Sequence, residues 1–290
     1  MSELSKTLHP MTVGDILDRS IQLYRSNFLK FIGIILLVKG PYLIFEEILT
    51  RLMVPYTPEM DSAQMTISLA IIMWLLELLI VGPILIAAMT MAISDRFLDR
   101  DVGVTEAYRK ILRRFFPLLG TILLTGTIIS VVLLACVFLG SSMVAVGVQP
   151  GIIIVMVGVI LAGVLWIWFA FIAQTVVIEG EGGISAMKRS KYLVKGYFLR
   201  AFALIILIFI AVALISGITS YGIQRAFLFL GQYRIHLAKG ASNVLSVLLE
   251  PFRIAAMTLL YYDFRIRKEG FDLEIMAEEL EAGIGDDHGI

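Results

Sequence analysis

The fold is decided by residues 152–198, which read IIIVMVGVILAGVLWIWFAFIAQTVVIEGEGGISAMKRSKYLVKGYF. The part up to residue 177 contains no Asp, Glu, Lys or Arg, and the chain then changes abruptly into glycines and a row of cations. Because the hydrocarbon core of a bilayer is about 30 Å thick, about 20 apolar residues in a helix are enough to cross it. This stretch therefore predicts a membrane-spanning helix that ends at a charged membrane surface.

Five further apolar runs of similar length accompany this one. Hydrophobic residues make up 59% of the 290-residue chain, charged residues only 17%, and the mean hydropathy is +0.89, which is too apolar for an ordinary soluble domain. The runs lack the alternation of barrel strands, and backbone groups in lipid must be bonded within the protein. The sequence predicts an all-α polytopic membrane protein, a single integral membrane domain over 1–290. Its six predicted spans are Phe31–Ile48, Ile67–Ile93, Phe116–Leu139, Ile152–Val177, Ala201–Tyr221 and Val244–Phe264.

The net charge of the chain is zero, so the distribution of charge carries the information. Of the 24 Lys and Arg residues, 18 lie in the first, third, fifth and seventh segments between the predicted spans, and 4 lie in the other three. Short loops rich in Lys and Arg stay in the cytoplasm. Both termini are therefore expected to be cytoplasmic. Residues 1–28 lack the apolar core of a cleavable signal peptide, so none is expected.

A motif near the N-terminus returns later in the chain. Residues 19–29, RSIQLYRSNFL, match residues 189–199, RSKYLVKGYFL, at five positions, and a weaker copy lies at 102–120. Glycines at 103, 183 and 270 follow the even-numbered spans at similar intervals. We interpret this as three hairpin repeats, each of a surface helix and two spans. Their approximate limits are 12–102, 103–182 and 183–270, followed by a short cytoplasmic tail, 271–290.

The predicted surface helices, at 15–28 and 184–198, carry cations on one side and apolar residues on the other. This pattern is typical of a helix in the headgroup layer, where anionic lipids attract Lys and Arg. A third, acidic helix is expected at 271–281, with Leu273, Met276, Ala277 and Leu280 on its apolar side. The expected partners are anionic lipid headgroups and a cytoplasmic or membrane protein. The candidate contacts are Arg19, Arg25, Arg109, Lys110, Lys188, Arg189, Lys191 and Lys195.

Other kinds of site find little support in the sequence. The GEGG at 180–183 lacks the spacing of a phosphate-binding loop, and the basic stretch after it lacks the solvent-facing aromatics of a nucleic-acid site. The three histidines are scattered, and Cys136 is the single cysteine. We therefore expect no catalytic site, no metal or other cofactor and no nucleic acid.

Ionisable residues inside the predicted spans are the main candidates for function, because charges at membrane depth are costly. Glu250 and Arg253 are three residues apart and are expected to neutralise one another. Lys39 and Glu77 could pair across the first hairpin, although their depths differ when counted along the sequence. Pairing and a polar path for a solute or proton both remain open. Prolines in three spans favour the path, since broken helices line many transporter sites; they are Pro41, Pro83 and Pro251.

Three motifs together resemble a known family. They are TVGDILDRSIQLYRSNFLKF at 12–31, VIEGEGGISAMKRSKYLVKGYFLRAF at 177–202 and TLLYYDFRIRKEGFDLE at 258–274. They are similar to the glycerophosphoryl diester phosphodiesterase membrane domain, a bacterial multi-span domain. Some relatives join it to a soluble catalytic barrel, whereas only 26 residues follow Phe264 here. The resemblance implies a module of the bacterial cytoplasmic (inner) membrane without the hydrolase.

Two functions therefore remain in view. The first is a non-enzymatic inner-membrane module that scaffolds or assists an envelope complex through cytoplasmic interfacial helices. The alternative is a transporter or lipid-handling protein with a polar path through the membrane. A membrane enzyme is least favoured, because the spans contain no cluster of His, Asp and Ser residues.

Overall fold

The computed structural model describes residues 9–53, 60–98, 104–146, 150–226, 234–275 and 277, and in these ranges it contains helices and short connections but no strand. Two π-helical turns interrupt the α-helices. In chain order the elements are α1 Val13–Ser26, α2 Phe28–Met53, α3 Met60–Leu76, π1 Glu77–Val81, α4 Gly82–Phe97, α5 Val104–Ala145, α6 Gly151–Trp168, α7 Ile172–Gln174, π2 Thr175–Glu179, α8 Gly183–Val194, α9 Phe198–Ala226 and α10 Arg234–Glu269.

Six helical stretches of the described residues are long and apolar enough to cross a membrane, which confirms the predicted all-α, six-span fold. They are Phe28–Leu52, Ile67–Phe97, Leu112–Ala145, Gly151–Glu179, Phe198–Ala226 and Gly240–Glu269. The second span joins α3, π1 and α4, and the fourth joins α6, α7 and π2. Most spans extend several residues beyond the predicted limits, because the helices continue into polar sequence at their ends.

Helix α1 packs along the last span. Its N-terminus is fixed by a capping box, in which Thr12 and Asp15 exchange hydrogen bonds. The backbone N–H of Met11 donates to Asp263 at 2.8 Å, and the hydroxyl of Tyr24 donates to the carbonyl of Leu248 at 2.9 Å. These contacts show that α1 runs in the direction opposite to α10. One side of α1 therefore packs against protein. The sequence had predicted a helix that lies on lipid, without this contact.

The hairpin of α5 and α6 is held together by close backbone approach. A Cβ on Gly140 would lie 2.5 Å from the carbonyl oxygen of Gly151, and a Cβ on Gly158 would lie 2.3 Å from the Cβ of Cys136. Only glycine permits these contacts, so the hairpin depends on them. The surface segment predicted before the third span is continuous with α5. The side chains of Arg109 and Lys110, within it, lie outside the described residues.

The glycines at 180–183 form a turn that α5 packs against. Gly180 has a φ of 87°, and a Cβ there would lie 2.0 Å from the guanidinium of Arg114. A Cβ on Gly182 would lie 3.0 Å from Pro117, and the N–H of Gly183 donates to Thr121 at 2.6 Å. The glycines therefore provide a left-handed turn and room for α5.

The largest buried cluster gathers the start of α2, the helices α1, α4, α8 and α9, and the last turns of α10 at one end of the bundle, which we call the capped end. Its largest members include Phe31, Phe171, Tyr261, Tyr262 and Phe264. Residues 271–275 and 277 are helical. Phe271 and Ile275 are buried there, whereas Leu273 is 65% exposed and Ala277 is also exposed. The expected apolar side of this segment was therefore wrong at Leu273 and Ala277, because the core contacts the other side. Met276 and Leu280 lie outside the described residues.

Candidate functional site

Three charged side chains from different spans meet within the bundle. The ammonium of Lys39 on α2 lies 2.9 Å from Oε1 of Glu77 on π1 and 3.3 Å from Oε1 of Glu250 on α10. The Lys39 side chain is 12% exposed, that of Glu250 24% and that of Glu77 38%. We call these three residues the ionic triad. It links the first, second and sixth spans.

The predicted pairing of Lys39 with Glu77 is present, although their depths counted from the sequence differed. Helix α4 continues beyond the predicted end of the second span to Phe97, and Ser94 lies in the capped end, 2.6 Å from the hydroxyl of Tyr262. Lys39 and Glu77 therefore pair even though they lie at different distances from the ends of their helices at the capped end.

Each member of the triad lies beside an irregular point of its helix. Glu77 begins π1, where the N–H of Gly82 bonds to the carbonyl of Glu77. A Cβ on Gly82 would lie 2.9 Å from that carbonyl oxygen. Prolines, which lack an N–H and disturb a helix, follow at Pro41, Pro83 and Pro251. A π turn of this kind is frequent at functional sites.

The triad holds one cation against two carboxylates. Oε2 of Glu250 is buried and has no hydrogen-bond partner among the described residues. The expected pairing of Glu250 with Arg253 is not formed, because Glu250 faces Lys39 instead. In the part of the chain that the structure describes, Arg253 has no ion pair. The cluster therefore carries one negative charge more than its own lysine neutralises.

A groove opens beside the triad. Its volume is about 230 Å³, and its walls come from the second span together with Ile122 of α5. Glu77 belongs both to the triad and to the groove, where it is the one ionisable lining residue. The other lining residues are Trp74, Leu78, Gly82, Pro83, Ile86 and Ile122. The groove is thus apolar apart from one carboxylate.

A second charged cluster lies at the capped end, around Glu179 and Arg189. The guanidinium of Arg189 donates to both oxygens of Glu179, each at 2.7 Å, and to Oε2 of Glu269 at 2.8 Å. Tyr261 donates to Glu179 at 2.5 Å, and Arg265 donates to Glu269 at 3.3 Å. The hydrogen bonds that Arg189 donates to Glu179 and to Glu269 raise the pKa of Arg189. This carboxylate clamp joins π2, α8 and α10.

A third cluster fixes the segment before α1. Asp263 is fully buried and accepts hydrogen bonds from the N–H of Met11 at 2.8 Å, from Arg200 at 3.2 Å and from Arg267 at 3.0 Å. Both arginines also donate to the carbonyl of Met11. Because a buried carboxylate needs such partners, Asp263 ties the N-terminal segment to α9 and α10.

The predicted headgroup cations are not all alike in the structure. Arg25, Lys188, Lys191 and Lys195 are exposed, and the ammonium of Lys191 lies 4.1 Å from the ring centre of Trp168. Arg19 is half-buried. Arg189, which the sequence placed with this group, is occupied by Glu179 and Glu269. Of the predicted headgroup cations whose side chains are described, Arg189 is therefore the least available to bind a lipid headgroup.

Sequence reasoning missed Glu179, Asp263, Tyr261 and Glu269. One signal for them was available in residues 263–269, DFRIRKE, where Asp263 with Arg267 and Arg265 with Glu269 have the i,i+4 spacing of helical ion pairs. Nothing in the sequence showed the long-range partners. Across the described ranges, no three His, Cys, Asp or Glu side chains converge to hold a metal ion.

Comparison with known proteins identifies a family. The model described as Domain of unknown function (DUF7847) matches residues 11–264. The chain belongs to this family. The DUF7847 match runs from Met11, which Asp263 binds, to Phe264, so it covers the clamp residue Glu179, the ionic triad, the first five spans and the sixth span up to Phe264. No curated protein and no solved structure matches. The family is uncharacterised, and the match gives no support to the phosphodiesterase membrane domain that the motifs resemble.

Proposed function

We propose that this chain is a non-enzymatic membrane module whose capped end faces the cytoplasm and binds anionic lipid and a protein partner. The observation that carries the proposal is the fixed orientation of α8. The helix buries one side against the protein and holds Lys188, Lys191 and Lys195 outward. The resemblance to the bacterial phosphodiesterase membrane domain and the excess of cations in alternate segments support a place in a bacterial inner membrane.

The orientation of α8 depends on Ser190 and Arg189. The hydroxyl of Ser190 is fully buried, donates to the carbonyl of Trp168 at 2.8 Å and accepts from the N–H of Phe171 at 3.1 Å. Arg189 holds the same helix through Glu179 and Glu269. Because α8 is held at both of these residues, its exposed lysines form a fixed surface.

Aromatic and apolar residues accompany these lysines. Trp168 lies beneath Lys191, and the ammonium of Lys268 lies 4.6 Å from the ring centre of Tyr192. Ile184 is 64% exposed and Leu199 is 79% exposed. Cations beside exposed aromatic and aliphatic side chains suit a membrane surface, where each Lys contributes about 1 kcal/mol toward anionic lipid.

The repeat supports the same arrangement at the N-terminus. Ser20 and Ser190 occupy matching positions of the two motif copies, and both are fully buried. Gly183 and Gly270, predicted to follow equivalent spans, both have a φ of 63°. We propose that α1 and α8 are equivalent amphipathic helices of a threefold repeat, each held against a span.

The lipid proposal is tested with fluorescence quenching in nanodiscs. Trp74 and Trp166 are changed to Phe, so that Trp168 reports, and the discs contain 5-doxyl phosphatidylglycerol or 5-doxyl phosphatidylcholine. We expect stronger quenching by the anionic lipid and loss of this preference when Lys188, Lys191 and Lys195 are changed to Glu. Arg225→Glu is the matched control. Equal quenching by both lipids would contradict the proposal.

The partner proposal is tested by affinity purification from native membranes in mild detergent. The same three lysine substitutions should release a specific partner, whereas Arg225→Glu should retain it. Arg189 is left intact, because its loss would disturb the clamp itself. A partner that stays bound to the triple variant would show that this surface is not used.

The ionic triad favours a second candidate function, a transporter or lipid-handling protein. One shared lysine, two carboxylates and three irregular helices lie together within the spans. Charged side chains within spans are costly, and they often mark the path of a substrate or ion. Glu77→Gln should then abolish flux of the transported amphiphile in proteoliposomes, and Glu47→Gln, outside the triad, should not.

A further inference from the structure

We infer that the groove beside Glu77 is a binding site for the positively charged head of an amphiphile whose apolar tail lies along the spans. The inference rests on the second candidate function and names its ligand class. It starts from the residue that the groove and the triad share, Glu77, whose side chain is 38% exposed. A carboxylate that is partly exposed in an apolar wall can bind a cation.

The charges of the triad set the sign of the ligand. Lys39 lies between Glu77 and Glu250, at 2.9 Å and 3.3 Å, so one ammonium is shared by two carboxylates. Oε2 of Glu250 is buried without a partner among the described residues, and Arg253 on the next turn pairs with neither carboxylate. An anion would be repelled here, whereas a cation at Glu77 would leave Lys39 to Glu250.

The aromatic and aliphatic walls set the type of cation. Trp74 lines the groove and is 60% exposed, and an indole face attracts amines and quaternary ammonium groups. The remaining lining residues offer no oxygen or nitrogen side chain to complete the shell of a small metal ion. A desolvated organic ammonium, in contrast, needs only a carboxylate and apolar contact.

The position of the groove explains where the apolar tail of the amphiphile would lie. Glu77 is well inside the second span, which runs from Ile67 to Phe97, and the opposite wall is Ile122 of the third span. The neighbouring surface of the second span is apolar and exposed, with Ile71 at 52% and Ile80 at 45%. A hydrocarbon chain beside the head would therefore contact apolar side chains.

The test uses two nitroxide amphiphiles with the same dodecyl tail, one with a quaternary ammonium head and one with an uncharged head. The protein is reconstituted in phosphatidylcholine nanodiscs with Trp166 and Trp168 changed to Phe, so that Trp74 reports. We expect saturable quenching by the cationic amphiphile at concentrations where the uncharged one quenches weakly. Glu77→Gln should weaken binding of the cationic amphiphile at least about tenfold.

Matched variants keep the result interpretable. Glu47→Gln removes an exposed carboxylate outside the triad and should leave quenching unchanged. Glu77→Asp keeps the charge and should retain most of the binding, and Ile122→Phe should block the groove in protein that remains monodisperse, without adding a second tryptophan. Equal quenching by both amphiphiles, or full cationic quenching in Glu77→Gln, would overturn the inference.

Failure of this inference can be told apart from failure of the second candidate function. Flux that requires Glu77 without selective quenching of Trp74 would overturn the binding site and keep transport. Selective quenching without any flux would support the binding site and remove the transport function. Both measurements use the protein with Trp166 and Trp168 changed to Phe, in nanodiscs for quenching and in proteoliposomes for flux, so their results are comparable.

Discussion

Arg189 and Glu179 face each other in a two-pronged contact, with both nitrogen–oxygen distances at 2.7 Å. The two residues are ten positions apart, on either side of the glycine turn. The contact therefore closes the chain around that turn and fixes how α8 leaves the fourth span. The stability of the capped end and the direction of its lysines depend on it.

Arg189→Ala should destabilise the protein by about 1–3 kcal/mol, because Glu179 and Glu269 lose the hydrogen bonds from Arg189 and keep only Arg265 as a nearby cation. Arg189→Lys should recover only part of this, since a lysine cannot donate two parallel hydrogen bonds. The measurement is unfolding by SDS in mixed micelles. Lys188→Ala, on the exposed side of the same helix, should change little. A similar loss in both variants would contradict the role of the clamp.

Asp263→Asn should release the segment before α1. The substitution removes the charge that holds Arg200 and Arg267 beside Met11, so two half-buried cations remain with weaker partners. Hydrogen–deuterium exchange should show faster exchange of the Met11 amide and of the first turn of α1. Asp18→Asn, at an exposed position of α1, is the control. Unchanged protection in Asp263→Asn would show that the apolar contacts suffice.

Gly180→Ala should cost about 1–3 kcal/mol from its left-handed backbone alone, and more because the new Cβ would strike Arg114. Gly217→Ala is the matched comparison, because nothing lies within 4 Å of that position and alanine favours a helix. Thermal unfolding in detergent measures both. If the two variants unfolded at the same temperature, the packing of Arg114 on the turn would be refuted.

Asp15 should give the capping of α1 a dependence on acid pH. Hydrogen bonds from Thr12 hold the pKa of Asp15 below its ordinary value of 3.8. Stability from a carboxylate with a lowered pKa is complete above the ordinary value and is lost as the pH falls through the lower one. Acid unfolding of α1, followed by exchange of its first amides, should therefore begin below about pH 4. Asp15→Asn should remove this dependence, and a persistent acid transition would assign it to another group.

The predicted topology is tested by labelling. With Cys136 changed to Ala, single cysteines at positions 2 and 288 should both be protected from a membrane-impermeant maleimide in intact cells. A cysteine at 148, in the connection between the third and fourth spans, should react. Labelling at either terminus would reverse the orientation inferred from the charges.

The spans were predictable because a long apolar run has few alternatives in a chain of this composition. The fifth span, for example, was predicted at Ala201–Tyr221, and the structure has a helix over Phe198–Ala226. The pairing of Lys39 with Glu77 was also within reach, since both are isolated charges on adjacent spans. Their proximity could not be confirmed by counting residues, because Lys39 and Glu77 lie at different distances along their spans and the count does not show how the helices pack.

The charge networks were harder to predict from the sequence than the spans. Arg189 looked like a surface cation because its neighbours Lys188 and Lys191 are surface cations, and sequence alone cannot single out the one that turns inward. Its partner Glu269 is 80 residues away. Glu250 was assigned to Arg253 by proximity along one helix, although the closer cation in space comes from another span.

The π turn that begins at Glu77 has a mechanical consequence. Such a turn contains one more residue than an α turn, and each residue of a helix corresponds to about 100° of rotation. If the turn relaxed to α geometry, α4 would rotate by that angle relative to α3. Glu77 faces Lys39 before the turn and Ser94 faces Tyr262 after it, so a simple rotation would break one of these contacts. The geometry of this turn therefore couples the contact of Glu77 within the membrane to the contact of Ser94 at the capped end.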